Sequence, residues 1–111
     1  MKISVVSGGF DPIHSGHISY LKSAKKMGDY LIVALNSDKW LINKKKKVFM
    51  PFQERKSILM NISFVDEVIT FKDDKEGSCI SALEKIKEKY PNQIIFFSLK
   101  KEIWKKDMKE Q

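Results

Sequence analysis

Ile3-Ser4-Val5-Val6-Ser7-Gly8-Gly9-Phe10-Asp11-Pro12-Ile13-His14-Ser15-Gly16-His17 decides the fold of this chain. Residues 3–7 are mostly apolar without clean alternation, the pattern of a strand covered on both faces in a parallel sheet. The strand feeds a glycine turn, and the turn feeds a helix. From Ser15 to Met27 the apolar residues Ile18, Leu21, Ala24 and Met27 recur at helical spacing. Gly28 is placed to cap that helix. Asp29 to Leu35 is a second buried strand, so the first third of the chain predicts a right-handed βαβ unit. Two imidazoles stand three residues apart at the strand-to-helix junction. Helix N-termini attract anions, and imidazole N–H groups donate to phosphoryl oxygens. The arrangement suits chemistry on a nucleotide phosphate.

Working outward, Asn36-Ser37-Asp38 ends the second strand, and Ser37 or Asp38 caps a short helix across Lys39 to Ile42. Lys44 to Lys47 is expected to be a loop. Pro51 opens a helix through Ile62, and Val65 to Phe71 is a third strand. Asp73 to Gly77 is a polar loop, followed by a helix from Ser78 to Lys89 with Ile80, Leu83 and Ile86 on one face. Tyr90-Pro91-Asn92 breaks it, Gln93 to Leu99 is a fourth strand, and a lysine-rich tail docks Ile103 and Trp104. There is no repeat and no linker, so residues 1–111 are expected to form a single domain. Strands alternating with helices predict an α/β, Rossmann-like doubly wound parallel sheet with helices on both faces. Ligands of such sheets bind beyond the carboxyl ends of the strands. His14, His17, Asp38 and the lysine run all fall at that edge.

The composition narrows the class. A chain of 111 residues with 42% hydrophobic content can bury one core. No apolar run is long enough to span a bilayer, and Met1-Lys2 leads into a strand rather than a signal peptide. Cys79 is the lone cysteine, which excludes an internal disulfide and fits a small helix residue in a reducing cytoplasm. The net charge of +7 is carried by 20 Lys and a single Arg. Nucleic-acid surfaces usually rely on the bidentate fork of Arg. The charge is therefore attributed to composition. A basic nucleic-acid module, built on Lys44 to Lys47 with Trp40 or Trp104 as stacking aromatics, is the minor alternative.

The stretch Gly8 to His17 resembles the His-x-Gly-His signature of the nucleotidylyltransferase superfamily, in particular its cytidylyltransferase-like branch. Pro51-Phe52-Gln53-Glu54-Arg55 resembles the family's Pro-Tyr-x-x-Arg segment, and Val65-Asp66-Glu67-Val68 also resembles the family. The similarity covers about residues 3–97. Ser98 to Trp104 does not match the family's Ser/Thr-rich helix start, so the chain is expected to be short at its C-terminus. Ser63 stands where cytidylyltransferases often carry an Arg.

The resemblance implies transfer of a nucleotidyl group from CTP, with ATP second, to a small phosphorylated acceptor such as glycerol 3-phosphate or a sugar phosphate. Pyrophosphate is released. It implies that His14 and His17 contact the triphosphate and stabilise its transition state, and that at least one of Lys44 and Lys46 points at phosphate, the alternative for the run being a solvated loop. Arg55 is expected to hold phosphate, or else to pair with a neighbour on its own helix. Gly8, Gly9 and Gly16 are expected to allow close phosphate approach and positive φ. Phe10, Asp11 and Asp38 complete the nucleotide-binding set, Asp11 either orienting the loop, holding a metal-bound water or making an Asx turn. Mg²⁺ is expected to arrive with the triphosphate rather than in a carboxylate cage. A homodimer is expected, and a nucleotide-binding protein without catalysis is the second reading.

Overall fold

A computed structural model of the chain describes residues 1–71 and 80–98. The strands are β1 (Lys2–Gly8), β2 (Tyr30–Leu35), β3 (Glu67–Thr70) and β4 (Ile94–Phe97). The helices are α1 (Ser15–Lys26), α2 (Asp38–Lys45), α3 (Phe52–Met60) and α4 (Ile80–Lys89). The strands pair in parallel in the order β3-β2-β1-β4. The chain thus steps outward from β1 to β2 to β3, then returns to the far side of β1. Right-handed crossovers place α1 and α3 on one face and α4 on the other.

Two apolar clusters record that arrangement. Val6, Leu31, Val33 and Leu35 pack with Tyr20, Leu21 and Ala24 of α1 and Leu59 of α3. Ile3, Val5, Ile32, Ala34 and Ile69 pack with Ala82 and Ile86 of α4. Successive residues of β1 and β2 alternate between the clusters, so both strands are apolar on both faces. This is the physical reason their sequences do not alternate. The sheet is the expected doubly wound α/β layout, and the order in which its strands are laid down reverses between β1 and β4.

Several boundaries differ from the sequence expectation. Helix α2 continues through Lys45, beyond Ile42, and so takes up the first half of the lysine run. Ser37 is its cap, accepting from the Trp40 N–H at 3.1 Å. Helix α3 stops at Met60, short of Ile62. The apolar stripe of α1 is rotated from the expected one: Ile18 is 43% exposed, whereas Tyr20 is buried one turn before Ala24. The Tyr20 hydroxyl donates to the Ser98 carbonyl at 2.6 Å, and the Ser4 and Ser98 hydroxyls pair. Burial pushes the Tyr20 phenol up to about 12. This polar knot joins α1, β1 and the end of β4 where the sheet reverses. Gly28 takes no left-handed φ. It is needed for space, since a Cβ there would stand 2.9 Å from the Lys2 carbonyl oxygen.

At the opposite edge Glu67 accepts from the hydroxyls of Tyr30 (3.0 Å) and Tyr90 (2.7 Å) and pairs with Lys89 at 2.8 Å. That carboxylate ties β2 and β3 to the end of α4. No described helix is long and apolar enough to cross a membrane. The expected loop 73–77, Ser78, Cys79, Leu99 and the tail with Ile103 and Trp104 lie outside the described residues.

Candidate active site

The turn after β1 ends on His14, which is the N-cap of α1 with extended backbone angles. Its Nδ1 accepts from the Gly16 N–H at 3.1 Å. Three residues on, the His17 Nδ1 accepts from the His14 N–H at 3.2 Å. The pair forms a capping box in which imidazoles replace the usual hydroxyl and carboxylate. The rings stack, with centroids 3.9 Å apart and planes 27° from parallel. With Nδ1 committed as an acceptor, each neutral ring carries its proton on Nε2. The first turn of α1 contains no acidic residue, so the positive end of the helix dipole is not neutralised there.

Gly16 makes this geometry possible through space rather than through φ. A Cβ at Gly16 would stand 2.9 Å from Cε1 and 3.1 Å from Nδ1 of His14. The ring lies where a side chain would otherwise be. Gly16→Ala is therefore expected to dissociate stability from binding. Alanine is intrinsically better than glycine in a helix by about 1 kcal/mol, while loss of the displaced cap costs about as much. Thermal unfolding should move little, while nucleotide affinity falls. A variant that binds nucleotide as tightly as wild type would show that the His14 ring does not need this space.

The positive φ expected of the glycines falls on Phe10 instead, at 51°. A non-glycine residue in this region is uncommon and needs support from its surroundings. The Phe10 ring meets the His17 ring edge-on, with centroids 5.0 Å apart. Gly9 is fixed by α2, since a Cβ there would come within 2.6 Å of Leu41 Cδ2. At Gly8 a Cβ would press on the Phe10 ring at 3.1 Å.

Asp11 orients the loop. Its fully buried carboxylate accepts from the Phe49 N–H at 2.8 Å and the Met50 N–H at 2.5 Å, and it pairs with Lys45 at 3.0 Å. Lys45 also donates to the Asp11 carbonyl. The peptide bond from Asp11 to Pro12 is cis. Burial pushes the Asp11 carboxyl up. The Phe49 amide, the Lys45 ammonium and the Met50 amide together outweigh it and hold the carboxyl below its ordinary value. A depressed carboxyl adds stability above the unfolded-state pKa of about 3.9 and loses it as pH falls through the folded value. The stability gap between wild type and Asp11→Asn is therefore expected at neutral pH and should close in acid below about pH 4. A gap that persists unchanged in acid, measured by urea unfolding, would show that the carboxylate charge is irrelevant to the loop.

The lysine run divides by role. Lys44 holds its ammonium 4.6 Å from the Trp40 ring centroid. Lys46 is the left-handed C-cap of α2, with φ 68°. The lysine that reaches the β1–α1 loop is Lys45, which the sequence reading passed over in favour of Lys44 and Lys46. Arg55 is the other surprise. It is fully buried, and it bonds the carbonyls of Gly9 and Asn36 (both 2.8 Å) and Met50 (2.9 Å). Its ion pair is with Asp38 at 2.6 Å, not with a neighbour on its own helix. The structure therefore gathers Gly9, Asp38 and Arg55 into one cluster, and Asp11 with Lys45 into a second, joined through Met50.

A doubly wound parallel sheet with a helix N-terminus at its reversal places the chain among the Rossmann-like α/β proteins. More narrowly, it belongs to the cytidylyltransferase-like family, whose model matches residues 5–109. Glycerol-3-phosphate cytidylyltransferase of Bacillus subtilis (strain 168) is 45% identical over 73 residues, which is 66% of this chain and 57% of that protein. The bifunctional protein HldE of Helicobacter pylori (strain P12) is 41% identical over 85 residues, covering 75% of this chain and 18% of that protein. The aligned part thus spans little more than half of the shorter relative. The fold is shared with the crystal structure of the lipopolysaccharide core biosynthesis protein from Thermoplasma volcanium GSS1. That structure aligns at a TM-score of 0.66 and 24% identity over 89% of this chain and 97% of that one.

Proposed function

We propose that this chain is a nucleotidylyltransferase that moves the nucleotidyl group of CTP, with ATP second, to a small phosphorylated acceptor such as glycerol 3-phosphate or a sugar phosphate. The observation that carries the reading is the stacked pair of Nδ1-anchored imidazoles at the N-terminus of α1. Membership of the family and the similarity to a glycerol-3-phosphate cytidylyltransferase support it.

In this reaction an acceptor phosphate oxygen attacks the α-phosphorus. A new P–O bond forms as the bond to the bridging oxygen breaks, and pyrophosphate leaves with that electron pair. The acceptor oxygen is already anionic, so no general base is required. Catalysis rests on positioning and on charge stabilisation. The Nε2–H groups of His14 and His17 donate to phosphoryl oxygens as charge develops. Gly8, Gly9, Phe10, Asp11, Gly16 and Asp38 form or brace the loop on which the triphosphate lies, Lys45 neutralises Asp11 within it, and at least one of Lys44 and Lys46 turns to supply positive charge once nucleotide is bound. Among the described residues no three His, Cys, Asp or Glu side chains are grouped as a metal cage, and the Asp11 carboxylate is already occupied. In this reading Mg²⁺ enters as part of the nucleotide substrate rather than in a carboxylate cage. Among the described residues β3 is an outer strand of the sheet and Met60 of α3 is 60% exposed, which supports a homodimer. A lone cysteine supports a cytoplasmic setting.

Titration of CTP, then ATP, with Mg²⁺ into wild type and a His14→Ala/His17→Ala variant tests the reading, with pyrophosphate release in the presence of glycerol 3-phosphate followed in parallel. Binding should be lost at concentrations that saturate wild type, and release should fall by at least about 10²–10³-fold in the variant. Equal binding in the variant would move the site elsewhere. Binding without release by any acceptor would make this a binding protein, and a single monomeric species in sedimentation would remove the dimer.

A further inference from the structure

We infer that Arg55 is a positioning residue, which sets the His14–His17 pair through the β1–α1 loop and does not itself hold phosphate. The inference rests on that loop being the triphosphate site proposed above. A guanidinium has five N–H donors in a fixed fork. Here Nε donates to the Met50 carbonyl at 2.9 Å, Nη1 donates to the carbonyls of both Gly9 and Asn36 at 2.8 Å, and Nη2 donates to Asp38 Oδ1 at 2.6 Å. Four donors are thus aimed at protein acceptors, and the side chain is fully buried. A phosphate would find a buried group with its fork already engaged.

What the fork holds is specific. Gly9 and Asp11 flank Phe10, the residue at φ 51°. Arg55 binds Gly9 directly. It reaches Asp11 through a single residue, because Met50 gives its carbonyl to Arg55 and its N–H to the Asp11 carboxylate. Both sides of the uncommon backbone conformation are therefore fixed from one guanidinium. Phe10, held between them, sets its ring against the edge of His17. The remaining two contacts fix the end of β2 at Asn36 and the first turn of α2 at Asp38. Lysine offers one ammonium on a flexible stem and cannot span four acceptors in fixed directions. This accounts for a single Arg among 20 Lys at this position.

The test uses the full chain without nucleotide. The chain has two histidines, so long-range ¹H–¹⁵N spectra of the labelled imidazoles resolve each ring. Wild type should show the Nε2–H tautomer for both. Arg55→Lys should unfold cooperatively yet show tautomer-averaged imidazole signals, with turnover down about 100-fold, the scale of an ångström-level misplacement. Asp38→Asn leaves the three carbonyl contacts and should move the same signals less. If Arg55→Lys fails to fold, Asp38→Asn decides alone. A folded Arg55→Lys whose imidazole spectrum matches wild type overturns the inference, as does a folded Asp38→Asn with no displacement when the lysine variant is unfolded. Failure of wild type to bind CTP or ATP would sink the proposed function. The nucleotide-free spectra would still judge the clamp.

Discussion

Removing either His14 or His17 is expected to lower pyrophosphate release by about 10²–10³-fold, the usual cost of one transition-state hydrogen-bond donor. The double variant should fall little further, because the two rings act as one unit. His17 accepts from the backbone N–H of His14, and the rings stack at 3.9 Å. Deleting His14 removes both the N-cap side chain and the stacking surface of His17, which leaves the remaining ring held only by the backbone N–H of residue 14 and the Phe10 ring. Groups that act together are non-additive in this way. The cost to stability should be small by comparison. Loss of an N-cap side chain is worth about 1 kcal/mol, and His14 is exposed. Turnover should therefore collapse while the melting temperature shifts by only a few degrees. Two single variants whose rate losses multiplied in the double variant would show independent contacts rather than a coupled pair. Variants that lost rate only in proportion to lost folded protein would remove the histidines from the chemistry.

The sequence makes some of this site legible and hides the rest for a physical reason. Local signals survive in the linear chain. The apolar segments 3–7 and 30–35 announce a sheet covered on both faces, and His14 and His17 fall on one helix turn because their spacing is three. Long-range polar contacts leave no such trace. Arg55 bonds residues 5, 17, 19 and 46 positions away, and nothing in its neighbours on α3 shows that its side chain turns inward. The lysine run misleads for a related reason. Lys44, Lys45, Lys46 and Lys47 are equivalent in composition, and only the continuation of α2 through Lys45 decides which of them meets Asp11. The glycines show a third limit. Gly9 and Gly16 are required by Leu41 and by the His14 ring, respectively. The sequence argument for them is close phosphate approach and positive φ, while in this loop φ above zero belongs to Phe10.

Arg55→Met should be the most destabilising single change at this edge, by about 3–5 kcal/mol, the scale for removing one partner of a buried polar cluster. Methionine fills much of the volume, so the expected loss is chiefly polar. The carbonyls of Gly9, Asn36 and Met50 lose their guanidinium donors together, and an unsatisfied buried acceptor costs about 1–3 kcal/mol. Asp38 contributes less, because its side chain is 42% exposed and water can replace its partner. Asp38→Asn should accordingly cost well under half as much. The difference matters because domains of this size are stable by only about 5–15 kcal/mol. A loss of this size would lower the melting temperature by more than about 10 °C. Urea unfolding of wild type, Arg55→Met and Asp38→Asn measures both terms. A phosphate-binding surface arginine predicts the opposite pattern: near-normal stability and lost nucleotide affinity. If Arg55→Met unfolds within about 1 kcal/mol of wild type, the clamp is absent. The φ of Phe10 must then be held by Asp11 and Lys45 alone.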